Sequence, residues 1–146
     1  MPSGVHTHRP CLSSVQGICG CLANRLTYCN AGHPWPVILN PHTGARLLEL
    51  KPNIPVGIMG DYEYEEQQVT LIDDFTLFLY TDGLYETENL HGETFGTKRM
   101  MARLKKSAEE EESPKEIIDR MTADVENFRG SARRIDDAIM VAIKAI

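Results

Sequence analysis

The sequence lacks a long apolar segment, a secretory signal and a cluster of basic residues. No apolar run approaches the roughly 20 residues that a helix needs to cross a bilayer, and residues 1–10 contain no apolar signal-peptide core. We therefore expect a cytoplasmic protein with no membrane partner. Lysine and arginine are scattered through a chain of formal net charge −6. Because contacts to nucleic-acid phosphates need clustered basic side chains, we also expect no nucleic-acid partner.

Cysteine is scarce and confined to the beginning of the chain. The four cysteines are Cys11, Cys19, Cys21 and Cys29. Their spacing includes no C-x-x-C pair and matches no common zinc pattern. Disulfides are rare in the cytosol, so the sequence predicts free thiols.

The composition is that of one ordinary folded domain. The chain has 146 residues, of which 42% are hydrophobic and 25% charged, enough for one core and too few for two comfortable domains. Residues 1–10 are polar and without periodicity, which predicts a disordered leader. Residues 11–146 are expected to form the domain.

The first part of this domain has the pattern of strands separated by turns. Pro and Gly in the segment 41–44 predict a tight turn between two strands, and Asp73 and Asp74 predict a second hairpin. The segment 75–80 is apolar on both faces, which is typical of a central strand covered on both sides. The predicted strands are 26–30, 35–40, 45–50, 68–72 and 75–80.

The second part has helical periodicity. One amphipathic helix is predicted over 97–107. A second begins at a capping box in 113–116, which also has Pro at the first helical position, and ends at Gly130. A final strand, buried in the sheet, is predicted over 136–146. The apolar residues expected to pack against the sheet are Met100, Leu104, Ile118, Met121, Val125 and Phe128.

Carboxylates stand at two predicted strand ends. Asp82 directly follows the central strand, and Asp136 and Asp137 directly precede the last one. If these strands are antiparallel neighbours, the carboxylates of Asp82 and Asp136 meet within about 4–6 Å, a separation at which a shared cation would offset their repulsion. Hard oxygen ligands suit magnesium or manganese. The alternative is an ordinary Asp-Gly turn and an ordinary strand boundary. Asp73 and Asp74 should lie at the opposite end of the strand.

Five motifs in order resemble those of one protein family. The segment 26–36, LTYCNAGHPWP, resembles the L-x-Y-x-N-A-G-H-x-P-P segment of the RsbU/SpoIIE-like branch of the PPM metal-dependent serine/threonine protein phosphatases. Segment 55–57, PVG, resembles P-L-G, and segment 79–86, LYTDGLYE, resembles L-Y-T-D-G-V-x-E. Phe95-Gly96 follows at the expected place, and Asp136-Asp137 begins a segment similar to the final D-D-x-T strand. The resemblance extends from about residue 11 to the end.

This resemblance implies a fold and a reaction. The implied fold class is α/β (α+β), a PPM-like antiparallel β-sandwich flanked by helices. The implied activity is removal of phosphate from phosphoserine or phosphothreonine in a regulatory protein of the anti-sigma factor antagonist type. Two Mn²⁺ or Mg²⁺ ions would bind the phosphate and activate the attacking water. The resemblance therefore implies a hydrolase with a phosphorylated protein partner.

The resemblance also assigns roles to residues. Asp82 and Asp136 would be metal ligands, with no catalytic side chain beyond the metal-activated water. Glu86 is alternatively a solvated loop acid, and His33 is alternatively a turn histidine bonded to backbone. The residues expected near the ligands, without necessarily touching the metal, are Asp137, Glu86, Gly83 and His33.

Two departures from the family pattern bear on activity. Family members carry an upstream segment, D-V-x-G-H-G or D-V-S-G-K-G, whose aspartate bridges both metals, and the sequence contains no such segment. Ile139 also stands where Thr is usual. We therefore expect a truncated domain, without its N-terminal part and of low activity. The alternative is a non-catalytic pseudophosphatase or fragment that acts as a protein-interaction module.

Overall fold

The computed structural model describes residues 15–20, 25–51, 53–71, 73–134 and 136–145. The predicted leader, residues 1–10, lies outside these ranges. The described residues divide into two compact units, one within 15–33 and 50–69 and the other within 34–49 and 70–145.

The first unit contains a three-stranded sheet in the order β1-β2-β5. These strands are β1 (Val15–Gly20), β2 (Arg25–Asn30) and β5 (Gln67–Thr70). β1 and β2 pair antiparallel, with Val15 opposite Asn30 and Gly20 opposite Arg25. The strand predicted over 26–30 is thus confirmed.

The second unit contains a four-stranded antiparallel sheet in the order β4-β3-β6-β7. Its strands are β3 (Val37–Asn40), β4 (Gly44–Leu47), β6 (Thr76–Tyr80) and β7 (Met140–Lys144). The predicted hairpin around 41–44 is confirmed, although both strands are shorter than expected. The Asn40 side chain stabilises the turn, because its Oδ1 accepts hydrogen bonds from the N–H groups of His42 (2.9 Å) and Thr43 (3.1 Å).

Two helices pack on this sheet: α1 (Gly96–Glu109) contacts β3 and β4, and α2 (Pro114–Arg129) contacts β7. The predicted capping box of α2 is confirmed, since Ser113 accepts from the Glu116 N–H and the Glu116 side chain accepts from the Ser113 N–H. Gly130 follows the helix with φ +59°, the left-handed region in which glycine is favoured.

The predicted apolar stripe is confirmed at four positions and shifted at two. Met100, Leu104, Met121 and Val125 are buried, whereas Ile118 and Phe128 are half-buried and Ile117 takes a fully buried place. The core they join also contains Val37, Leu39, Phe78, Tyr80, Leu84, Phe95 and Ala108.

The predicted hairpin between 68–72 and 75–80 is wrong. β5 belongs to the sheet of the first unit, while β6 pairs with β3 on one side and β7 on the other. Because both edges of β6 are already occupied, no ladder hydrogen bonds remain for β5. Asp74, with φ +60°, lies on the connection between them.

The prediction of a buried final strand from residue 136 is also corrected. β7 begins only at Met140, and it forms an edge of the described sheet. Met140 and Ala142 pack against the core, whereas Val141 and Ile143 are 43% and 51% exposed. The reason is the period-two alternation of strand side chains, which turns one row of this apolar segment away from the helices.

Candidate functional site

The end of β6 and the segment before β7 are joined by a short hydrogen-bond network. The Thr81 N–H donates to the Ile139 carbonyl oxygen (3.0 Å), and the Ile139 N–H donates to Thr81 Oγ1 (3.0 Å). Thr81 Oγ1 in turn donates to the Asp137 carbonyl oxygen (3.4 Å). The two carboxylate-bearing segments therefore run side by side, as the strand-end argument requires. The separation of the Asp82 and Asp136 carboxylates themselves stays a prediction.

Asp82 opens a single 3₁₀ turn, Asp82–Leu84, directly after β6. The Leu84 N–H donates to the Thr81 carbonyl oxygen (3.0 Å), and the Leu84 side chain is fully buried in the core. This apolar anchor fixes the turn, while the Asp82 side chain stays exposed. The carboxylate thus lies on a hydrogen-bonded turn and faces solvent.

Gly83 is required by the close approach of the Asp137 backbone. A Cβ atom built on Gly83 would lie 2.6 Å from the Asp137 carbonyl oxygen, a distance that real Cβ atoms do not show. The structure thus gives a steric reason for a glycine at this position. Only a residue without a side chain lets the two motifs come together here.

The acidic residues of both motifs are exposed. Asp136 Oδ1 accepts a hydrogen bond from the Asp137 N–H (2.8 Å), which orients the Asp136 carboxylate. Burial raises the pKa of Tyr85, and the negative charges of Asp82 and Glu86 raise that pKa further. The carboxylates of Asp82 and Glu86 therefore lie close enough to one phenol to influence its ionisation.

A cavity of about 380 Å³ opens beside this junction. Three of the predicted site residues, Glu86, Gly83 and Asp136, line this cavity, whereas Asp82 and Asp137 are not among its lining residues. The sequence argument missed the basic residues of this cavity, although three arginines stand within seven residues of Asp136. The remaining lining residues are Thr87, Glu88, Thr94, Arg129, Arg133 and Arg134.

His33 lies in the first unit, in a turn held by Asn30. Asn30 Oδ1 accepts from the His33 N–H (2.8 Å), and Asn30 Nδ2 donates to the His33 carbonyl oxygen (2.9 Å). In the same unit, a Cβ atom on Gly32 would lie 2.7 Å from Pro55 Cγ. The N-A-G-H and P-V-G motifs thus meet, and the role of the His33 side chain stays a prediction.

The donors at the junction fit manganese or magnesium in type but not in number. Carboxylate oxygens are the hard ligands that these ions prefer. Within the described ranges, however, no group of three or more His, Cys, Asp or Glu side chains is placed to hold a metal ion. The described residues alone therefore do not complete a metal site.

Comparison with solved structures identifies the fold as that of PP2C phosphatase domains. The SiaA-PP2C domain of Pseudomonas aeruginosa matches with a TM-score of 0.68 and 21% identity, over 84% of this chain and 47% of that one. The phosphatase domain of SpoIIE from Bacillus subtilis, presoaked in Mn, matches with a TM-score of 0.65 and 19% identity, over 90% and 56%. The predicted α+β class, with antiparallel sheets and helices, is confirmed.

The sequence itself matches a family model, "Stage II sporulation protein E (SpoIIE)", over residues 13–146. The chain belongs to the SpoIIE family. It is also 34% identical over 62 residues to phosphoserine phosphatase RsbP of Bacillus subtilis (strain 168), which is 42% of this chain and 15% of RsbP. The chain thus spans about half the length of the two matched phosphatase structures and a small part of RsbP.

Neither helix in the described ranges is long and apolar enough to span a membrane.

Proposed function

We propose that this chain forms the Asp82- and Asp136-bearing part of a metal-dependent phosphatase that acts on phosphoserine or phosphothreonine in a regulatory protein. The observation that carries the proposal is the hydrogen-bonded junction of Thr81 with Asp137 and Ile139. It joins the two aspartate motifs of the family at one end of β6. Membership of the SpoIIE family and the likeness to phosphoserine phosphatase RsbP support the same reaction class.

Asp82 and Asp136 would hold the Mn²⁺ or Mg²⁺. Two relatives are described with these ions, the Mn-presoaked SpoIIE domain and RsbX in complex with magnesium. When bound, such ions polarise phosphoryl oxygens and supply a water of lowered pKa. The protein side chains contribute positioning: the Asp137 N–H orients the Asp136 carboxylate, and Gly83 permits the close approach of the two motifs. Glu86 and His33 are proposed to lie near the ligands.

We further propose that the substrate is a phosphorylated anti-sigma factor antagonist. RsbP is named a phosphoserine phosphatase, and another similar structure contains the RsbU and RsbW domains of Rv1364c from Mycobacterium tuberculosis. The support for this substrate is the family alone, so the assay should compare such a protein with an unrelated phosphoprotein.

The 146-residue chain by itself is expected to hydrolyse phosphate esters slowly. A two-metal reaction needs both ions to orient the water and neutralise developing charge, and losing one costs several kcal/mol of transition-state stabilisation. The described residues include no cluster of three metal-binding side chains. In manganese, the purified chain should therefore hydrolyse p-nitrophenyl phosphate barely above background.

The test joins this chain to the N-terminal half of a relative's phosphatase domain, which carries the D-x-x-G-H/K-G segment. The joined protein should hydrolyse p-nitrophenyl phosphate and a phosphoserine peptide in manganese. Asp82→Ala or Asp136→Ala should abolish that activity, while Asp74→Asn, at the opposite end of β6, should not. Full activity in either alanine variant would contradict the proposal. Robust turnover by the short chain would mean that another residue, with His33 the first suspect, completes the site.

A second candidate is a pseudophosphatase or fragment that binds a partner without turnover. It is favoured by the small number of metal ligands in the described ranges. One experiment on the joined protein distinguishes the two functions. Good manganese occupancy with no hydrolysis, together with retained binding to the phosphorylated partner, would support the interaction module.

A further inference from the structure

Three arginines line the cavity beside Asp136, and no motif of the family pattern accounts for them. Arg129 ends α2, and Arg133 and Arg134 follow in the connection toward β7. All three share the 380 Å³ cavity with Gly83, Glu86 and Asp136. The cavity is therefore lined by three arginines and by three carboxylates, Glu86, Glu88 and Asp136, of which Glu86 and Asp136 belong to the candidate metal site.

Two of these arginines are fixed by one carboxylate. Arg129 and Arg134 both form ion pairs with Glu126, and Arg129 also donates to the Ala132 carbonyl oxygen. One negative charge thus faces two guanidinium groups. The Nε atom of Arg129 is buried and has no hydrogen-bond partner among the described residues. Arg129 and Arg134 therefore carry one positive charge more than Glu126 neutralises.

Arg133 differs from its neighbours because its charge is not paired. Its side chain is exposed, and within the described ranges no carboxylate lies at ion-pair distance from it. A guanidinium binds phosphate through two parallel hydrogen bonds and stays charged at every physiological pH. An unpaired arginine that lines such a cavity is suited to a dianionic ligand.

We propose that this cavity binds the phosphate monoester of the substrate, with Arg133 contacting the phosphoryl oxygens. A volume of about 380 Å³ lies within the range of small-ligand sites and would accept a phosphoserine side chain with part of its backbone. Arg129 and Arg134 line the same cavity and together add one positive charge beyond the one that Glu126 neutralises. The proposal rests on the proposed function, since it assigns the substrate's phosphate to the cavity that Asp136 also lines.

The test measures binding in EDTA, so that it depends on neither bound metal nor hydrolysis. A fluorescent phosphoserine peptide is titrated with the full chain and followed by anisotropy, beside the same peptide with Ser or Asp at that position. Inorganic phosphate serves as the competitor. The variants are Arg133→Gln, Arg133→Lys and the control Arg46→Gln, which removes another exposed arginine without an ion pair in the described ranges.

The wild-type chain should prefer the phosphoserine peptide to both other peptides, and inorganic phosphate should displace it. Arg133→Gln should weaken binding about tenfold or more, the usual effect of losing hydrogen bonds to a charged group. The affinity of Arg133→Lys should lie between those of wild type and Arg133→Gln. Arg46→Gln should bind the peptide as wild type does. Equal affinity of wild type and Arg133→Gln, equal affinity for the Asp peptide, or no binding by wild type at millimolar concentration would each overturn the proposal. If binding follows the prediction but the joined protein never hydrolyses phosphate, only the proposed catalysis fails.

Discussion

Gly83 and Asp137 approach so closely that a methyl group on Gly83 would lie 2.6 Å from the Asp137 carbonyl oxygen. This contact joins the Thr-Asp-Gly motif at the end of β6 to the Asp-Asp motif before β7. Because the obstacle is backbone rather than a flexible side chain, a Cβ cannot be accommodated without moving one motif relative to the other. The geometry of the candidate site therefore depends on residue 83 being a glycine.

Gly83→Ala should destabilise the fold by about 1–3 kcal/mol, the usual cost of forcing extra atoms into a packed position. Urea unfolding measures this change. Gly60→Ala is the matched control, because Gly60 also lacks a positive φ and a Cβ there meets no atom within 4 Å. The control should change stability by less than about 0.5 kcal/mol. An equal, small effect of both substitutions would show that the Gly83–Asp137 contact is not tight.

Substitutions in the core and in the exposed side chains of β7 should change the free energy of unfolding by different amounts. Met121 is fully buried in the second unit, so Met121→Ala should cost about 2–5 kcal/mol through lost burial and a residual cavity. Val141 is 43% exposed, so Val141→Thr should change the free energy of unfolding by no more than about 0.5 kcal/mol. Urea unfolding of both variants measures the contrast. A large loss in Val141→Thr would mean that the outer row of β7 is covered in solution.

Tyr80 should make the fold sensitive to alkali. Burial raises the pKa of Tyr80 to about 12, with a further contribution from Tyr85, whereas an unfolded chain ionises this phenol near its ordinary pKa of about 10. The folded state therefore holds the proton more tightly, so this stabilisation is complete below about pH 10 and is lost as the pH rises toward 12. Tyr80→Phe removes the ionisable group. Its unfolding free energy should fall less steeply than that of wild type between pH 10 and 12, and parallel slopes would contradict this assignment.

The elements that the sequence predicted correctly are those with local signals. The Pro and Gly of the 41–44 turn and the Ser113–Glu116 capping box act within four residues, and the buried positions Met121 and Val125 follow from the period of one helix. The pairing of the two aspartate motifs also followed from local reasoning, because β6 and β7 are antiparallel neighbours with Tyr80 opposite Met140. As predicted, Asp74 lies at the other end of β6, where it pairs with Lys144 (3.0 Å).

The remaining features depend on contacts that are distant in sequence. The adjacent segments 68–72 and 75–80 have the pattern of a hairpin, but β6 pairs instead with β3 and β7. The arginines that line the cavity could not be predicted as site residues for a similar reason. Arg129 and Arg133 become neighbours of Thr87 and Thr94 only after α2 has packed on the sheet.

The central claim is that Asp82 and Asp136 bind a divalent cation together, and manganese binding by the purified chain tests it most directly. Titration of Mn²⁺ followed by electron paramagnetic resonance gives the free ion concentration without requiring activity. Wild type should bind one ion weakly, and Asp82→Asn and Asp136→Asn should each weaken binding about tenfold or more, as loss of a charged ligand does. Asp74→Asn should bind as wild type does. Equal manganese affinity in wild type, Asp82→Asn and Asp136→Asn would contradict the account.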